Sequence, residues 1–372
     1  MKFRNVAGRG IFGESKVKGK LPMTGKYMAY VGSYSYTGKA KGITVYDVDV
    51  EAGKFIYRCE VEVDNSSYLK ASQNGQILYS IADEGVVAFR VLSNGSLARL
   101  NSANIRGMRG CHLSTSKADD YIFISGFHDG KITVLHLNED GSVGDIADGV
   151  FHKGLGSVAE RSFRPHVSCS RLTPDERFLM VADLGIDQIK VYRFDHKDGK
   201  IALVDTIRCE LESAPKYFMF SSDGRFFYVL YEMKNVIEVY SYKEGERVPI
   251  VEKIQTISST GSKPNQLTAA CAMHFSPDEK HVFCSNAGDN TVSMYDRDDE
   301  TGMLTLRFCL PISGDYPKDI AIFPGGEHLA SINHEGSISF FKIDYEKGLL
   351  VMSDRSIKVN EPNCCEIVKI GD

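Results

Sequence analysis

The chain has 372 residues, 42% of them hydrophobic and 25% charged, with a net charge of −5 at pH 7. That length admits two average domains or one large repeat architecture, and the composition is that of a globular chain able to build a sizeable core. No apolar run approaches the ~18 residues a membrane helix requires, and the negative charge offers no nucleic-acid surface, so neither a membrane nor a nucleic acid is expected as partner.

Residues 1–27 stand apart. Seven Lys/Arg face only Glu14 there, a local charge of +6 that leaves −11 for the rest of the chain. Glycines recur at 8, 10, 13, 19 and 25, and the segment lacks the apolar stretch of about 7–15 residues that marks a secretory signal. It reads as a flexible or surface-draped extension, with docking to an acidic partner as the alternative. Nine cysteines, an odd number with no C-x-x-C pair, point to reduced thiols in the cytoplasm, several of them filling core space.

From Tyr27 onward one four-part unit recurs. A short run is followed by a polar turn and a dense apolar run, then an alternating segment, then a turn glycine and a last strand. The dense runs are "YMAYVG" (27–32), "ILYSIA" (77–82), "YIFISG" (121–126), "FLMVAD" (178–183), "FFYVLY" (226–231), "HVFCSN" (281–286) and "HLASIN" (328–333). The alternating segments follow in step: "GITVYDV", "VVAFRV", "KITVLHL", "QIKVYRF", "VIEVYSY", "TVSMYDR" and "SISFFKI". Their period of two and their β-branched and aromatic content mark strands. Gly53, Gly95, Gly141, Gly199, Gly245, Gly302 and Gly348 come next, where tight hairpins call for positive φ.

Both series count seven, and no linker interrupts them. Four strands per ~50 residues is the period of a β-propeller. The expected fold is therefore all-β: one seven-bladed β-propeller over residues 28–372, four antiparallel strands per blade. The first blade lacks an inner strand before "YMAYVG", while the C-terminus ends in an unpartnered strand, "NCCEIVKI" (363–370). That strand is expected to enter the first blade innermost, removing two exposed sheet edges.

Inner strands line the channel of a propeller. Counting six residues back from each polar turn gives Ser67, Cys111, Ser168, Lys216, Cys271 and Lys318, joined by Asn363 from the closing strand. These are expected to form a ring near one mouth, with His112, His166 and Tyr217 close by. Two lysines in one ring favour a small anionic ligand.

The opening "YVGSYSYTGKAKGITVYDVDVEAGKF", together with "NSSYLKASQNGQILYSIAD", "GSVAERSFRPH", "TPDERFLMVADLGIDQIKVYRFD" and "FSPDEKHVFCSNAGDNTVSMYD", resembles the lactonase family of seven-bladed propellers, the 6-phosphogluconolactonase and cycloisomerase group. The resemblance runs from about residue 28 to 370 and leaves the leader outside. It implies opening of a sugar lactone such as 6-phosphogluconolactone, or cyclisation of a muconate, without metal or organic cofactor, by a His, a Glu and two Arg around the funnel. Family members commonly read Pro-His-x-His before the fourth-blade turn; here His166 is kept and the second, more widely shared His is Ser168. "Pro-Arg-His" has become Pro215-Lys216-Tyr217, a later "Pro-Arg" is Pro317-Lys318, and the Arg of "Ser-Asn-Arg-Gly" is Ala287. Glu232, in "LYEMKN", is kept, and Arg161 matches the Arg of a pocket-covering loop.

Lactone hydrolysis needs a base for water and cations or N–H donors for the oxyanion. His166 and Glu232 are the candidate base and proton shuttle; Lys216, Lys318 and Arg161 are the candidates for oxyanion and phosphate. Ser168, Tyr217 and His112 complete the expected substrate-contacting set. Each has a plainer reading: His166 bonding a neighbouring loop, Glu232 pairing with a rim cation, the lysines as solvated channel groups. His274 reads as a packed strand residue, Asp183 as a turn-former, and Cys111 and Cys271 as channel packing. No spacing of His, Asp or Glu argues for a metal, with the calcium of some other propeller lactonases as the alternative. Two functions stand: a cytoplasmic lactonase-like hydrolase taking a sugar lactone or phosphosugar, or a catalytically degenerate propeller binding a small anion or a protein.

Overall fold

The dense apolar runs become the second strands of their sheets. Tyr121–Gly126, Phe178–Asp183, Phe226–Tyr231 and His328–Asn333 are buried at every position, because such a strand is flanked within its sheet and covered on both faces. The fourth strands, such as Lys54–Glu62, carry mostly exposed and half-buried residues and form the rim.

The computed structural model describes residues 25–156, 163–261 and 267–371. Among these, 28 strands form seven antiparallel sheets of four. Six sheets are built from consecutive strands. The seventh places the C-terminal strand Pro362–Gly371 beside Lys26–Ser33, followed by Gly42–Asp49 and Lys54–Glu62. Its register pairs Met28 with Val368 and Tyr30 with Glu366. The expected seven blades and their closure are thus present. The first strand begins at Lys26; residues 1–24 of the leader lie outside the described residues.

One apolar cluster fills each gap between neighbouring blades. Met28, Tyr30 and Val45 of the first blade pack on Leu78, Val87 and Phe89 of the second. Around the ring, Ala29, Val31 and Phe55 of that same first blade pack on Phe323, Ile332 and Phe340 of the last. A tyrosine hydroxyl then latches a blade to the next hairpin: Tyr30 donates to the Gly95 carbonyl at 2.9 Å, Tyr79 to Gly141 at 3.1 Å and Tyr228 to Gly302 at 2.8 Å. Six of the seven turn glycines have φ between 64° and 85°. Gly245 departs from the expectation: it is not in the positive-φ region, and its requirement is space, since a Cβ there would lie 1.8 Å from the Val248 carbonyl oxygen.

Removing residues 362–372 strips Cys364 and Val368 from the first inter-blade cluster and opens two strand edges. The truncated chain is expected to unfold more than ~10 °C below the full chain, several kcal/mol at this size, as followed by circular dichroism.

Candidate functional site

A repeated slip in strand register builds the site. In Val167–Leu172, Val167 pairs with Asp183 and Cys169 with Ala182, so Ser168 is skipped. Lys216 is skipped between Pro215 and Tyr217, Cys271 between Ala270 and Ala272, Lys318 between Pro317 and Asp319. On the closing strand Asn363 is skipped between Pro362 and Cys364. Such bulges re-aim a side chain out of the regular pleat. In the second and third blades the inner strands start later, at Leu69 and His112, leaving Ser67 and Cys111 ahead of the ladder.

Cys111, Ser168, Lys216, Cys271, Lys318 and Asn363 line one cavity of ≈ 90 Å³. With Tyr68 its walls draw on all seven inner strands or the residues just before them, which places it on the axis. The seventh ring residue, Ser67, stays out of the lining; its carbonyl accepts from the Asn363 side chain. His112 and Tyr217 also line the cavity, whereas His166 does not. Arg161 lies outside the described residues.

Inside the cavity Lys216 Nζ is 2.5 Å from Glu232 Oε2 and 3.9 Å from Cys271 Sγ. Burial works to lower the Lys216 pKa, but Cys271 and Glu232 outweigh it and hold the ammonium form. Glu232 is itself buried and leaves the strand Phe226–Tyr231 with its N–H on the Ala214 carbonyl at 2.9 Å. Lys318 Nζ lies 5.5 Å from the centre of the Tyr316 ring. Burial pushes the Cys111 thiol up to about 12, Cys169 adding to the rise, and its Sγ lies 3.4 Å from the Val167 carbonyl, which suits a protonated thiol. The Ser168 hydroxyl donates to the Pro215 carbonyl at 2.8 Å, joining the fourth and fifth blades. Tyr217 takes an N–H of Arg171 on its hydroxyl. His274 lies in the strand Ala269–Phe275 as expected, but it is more than a packing group: its Nε2 is 2.9 Å from Asp319 Oδ1 and it lines the cavity.

His166 is held on every side. Its Nδ1 is 2.6 Å from the Phe127 carbonyl, and its ring stacks on Phe127 at 4.3 Å. A carbonyl only accepts, so Nδ1 carries a proton, and in the neutral tautomer the lone pair is on Nε2. Gly185 permits this approach, since a Cβ there would lie 1.8 Å from the Arg164 carbonyl oxygen and 2.7 Å from the His166 ring. His166 and Glu232 form no hydrogen bond with each other, so the expected base and shuttle are not a directly coupled pair.

Asp183 does more than form a turn. One oxygen accepts the His166 N–H at 2.8 Å and the Gly185 N–H at 3.1 Å; the other lies 2.7 Å from His152 Nδ1. The carboxylate therefore ties both ends of the stretch that leaves the third blade at His152 and enters the fourth at His166. Both side chains are fully buried. His152 was not singled out from sequence; a polar residue directly after a rim strand was its only signal.

The family described as Lactonase, 7-bladed beta-propeller, matches residues 28–367. The 6-phosphogluconolactonase of Bacillus subtilis is 27% identical over 350 residues, covering 92% of this chain and 99% of that protein. A Bacteroides fragilis protein of solved structure is 29% identical with a TM-score of 0.84, covering 93% and 98% of the two chains. The periplasmic gluconolactonase of Pseudomonas aeruginosa shares the fold, with a TM-score of 0.86 at 23% identity over 93% and 99%.

Asp183→Ala leaves His152 and two backbone N–H groups without their acceptor and is expected to cost about 3–5 kcal/mol in urea unfolding, with Asp183→Asn milder. Burial lowers the pKa of His112 well below its ordinary value, and of His152 too, although Asp183 opposes the shift there. Both stay neutral in the folded protein while the unfolded chain takes up protons near pH 6.5. Stability is thus expected to be full above about pH 6.5 and to fall as pH drops below it, by up to ~1.4 kcal/mol per pH unit for each histidine. Urea titrations at pH 7.5 and 5.5 measure the slope, which His112→Gln should reduce.

Proposed function

The chain belongs to the lactonase family of seven-bladed β-propellers, and we propose that it hydrolyses an anionic sugar lactone of the 6-phosphogluconolactone type at the axial cavity. The observation that carries the reading is the pair of bulge residues Lys216 and Lys318 lining one cavity. A space of ≈ 90 Å³ is several times the ~10–15 Å³ that one water needs on the same measure. It suits one phosphate or carboxylate group, with the sugar ring lying outside it toward His166.

In this reading water attacks the lactone carbonyl carbon while His166 Nε2 takes the water proton. The ammonium of Lys216, held by Glu232, counters the charge growing on the carbonyl oxygen. The ring C–O bond then breaks and the departing alkoxide recovers the proton from His166, giving the hydroxy acid. Glu232 serves as the positioning group for Lys216. Lys318 attracts the remote anion as a point charge, without the two-pronged grip an arginine would give. Nine free thiols suit a reducing compartment, and we place the activity in the cytoplasm.

A second reading, a catalytically degenerate propeller that binds a small anion, draws support from two positions. The Ser168 hydroxyl is engaged by Pro215, and Ala287 is fully buried beside Ala269; neither offers a group for proton transfer or charge stabilisation.

Hydrolysis of 6-phosphogluconolactone and δ-gluconolactone above the spontaneous rate separates the two. His166→Ala and Glu232→Gln are each expected to slow turnover ~10²-fold or more. Lys318→Met should raise KM for the phosphorylated lactone more than for δ-gluconolactone. Wild-type rates equal to buffer remove the hydrolase reading.

A further inference from the structure

The channel has a second tier of charge. Three residues beyond the cavity ring, the inner strands carry Lys70, Ser114, Arg171, Met219, His274, Ala321 and Glu366 in order around the axis. Lys70 and Glu366, neighbours across the closure, bond at 2.9 Å. His274 has Asp319 at 2.9 Å. Arg171 is flanked by Ser114 and Met219, neither of which carries a negative charge. Among the described residues no carboxylate forms an ion pair with it.

What Arg171 does touch is neutral. One terminal N–H reaches the Tyr217 hydroxyl, and the guanidinium carbon lies 5.1 Å from the centre of that ring. Its Nε is buried with no acceptor, as is His112 Nδ1. The His112 Nε2 lies 3.5 Å from Cys169 Sγ, so Cys169 can donate to Nε2 and leave the proton on Nδ1. A half-buried cation lacking both a counter-charge and a full set of acceptors is costly unless something else supplies them.

The space for a supplier is present. Arg171 borders a groove of ≈ 410 Å³, distinct from the axial cavity, which Lys117, Ser114, Ser222 and His274 also line. Among the described residues that line it Glu176 is the one carboxylate, and it is occupied by the Lys117 backbone N–H at 2.7 Å. Tyr217 and His274 border both spaces and divide them.

We propose that this groove is a second anion site, in which the Arg171 guanidinium takes a small free oxyanion bearing a phosphate or carboxylate group. The planar fork of N–H donors suits either group better than a lone ammonium does. The site is independent of lactone hydrolysis: it stands or falls whether or not the axial cavity is catalytic.

Isothermal titration calorimetry at low ionic strength with inorganic phosphate, and separately with succinate, tests it on the full chain, with chloride as control. Lys318→Met, which alters only the axial cavity, is expected to keep the Arg171 site. Arg171→Met should weaken that binding at least tenfold, and Arg171→Lys by less. Phosphate or succinate should also shift the Arg171 Nε–H resonance in the wild-type protein, a readout that needs no variant to fold. The proposal is overturned if Arg171→Met binds as the wild type does, if Lys318→Met abolishes all binding, or if neither anion moves that resonance.

Discussion

A strand that joins the two ends of the chain is the constraint on which the rest depends. Each blade buries its faces only against two neighbours, so seven blades need seven interfaces, and a row that failed to close would leave two apolar sheets in water. The pairing of Lys26–Ser33 with Pro362–Gly371 supplies the missing interface. It also makes the first blade a composite of both ends, with Cys364 and Val368 in the cluster on one side and Cys365 and Ile367 packed against the cluster on the other. The axial cavity inherits this dependence, because Asn363 is one of its walls.

Closure alone would give a channel lined by regular pleats. The skipped residue at the head of the inner strands alters that. In five blades one side chain is released from the ladder, and on four of these five the released residue is polar or charged. Groups with no place in a stacked sheet are thereby gathered in a space where some find partners in the adjoining blade, as Ser168 has the Pro215 carbonyl and Asn363 the Ser67 carbonyl.

The architecture was legible because its signals are local and repeated: seven dense runs, seven alternating runs and seven turns fix the blade count without any contact being known. The ring was legible for the same reason, since counting back from a turn reaches equivalent places in every repeat. What the repeat does not encode is what differs between blades. The tie from Asp183 to His152 joins residues 31 positions apart in two blades, and nothing in either local pattern announces it. Arg171 looked like one more residue of a strand, because its lack of a counter-charge is a property of its neighbours around the axis. The polar role of His274 is hidden for a related reason: the same strand position is apolar in the fifth and seventh blades, as Met219 and Ala321, and it is the nearby Asp319 that makes His274 a polar wall.

Ser168 shows how one small side chain can couple two blades. The resemblance to the family puts a histidine at that position, yet here a small hydroxyl has become the donor for the Pro215 carbonyl of the adjoining blade. Reinstating the imidazole would demand room beside Lys216 and would strip that carbonyl of its proton donor. A single reverse substitution is therefore not neutral ground. A change at this position is tied to the fifth blade, so the order in which substitutions are made, and not only their final combination, governs which chemistries this scaffold can reach.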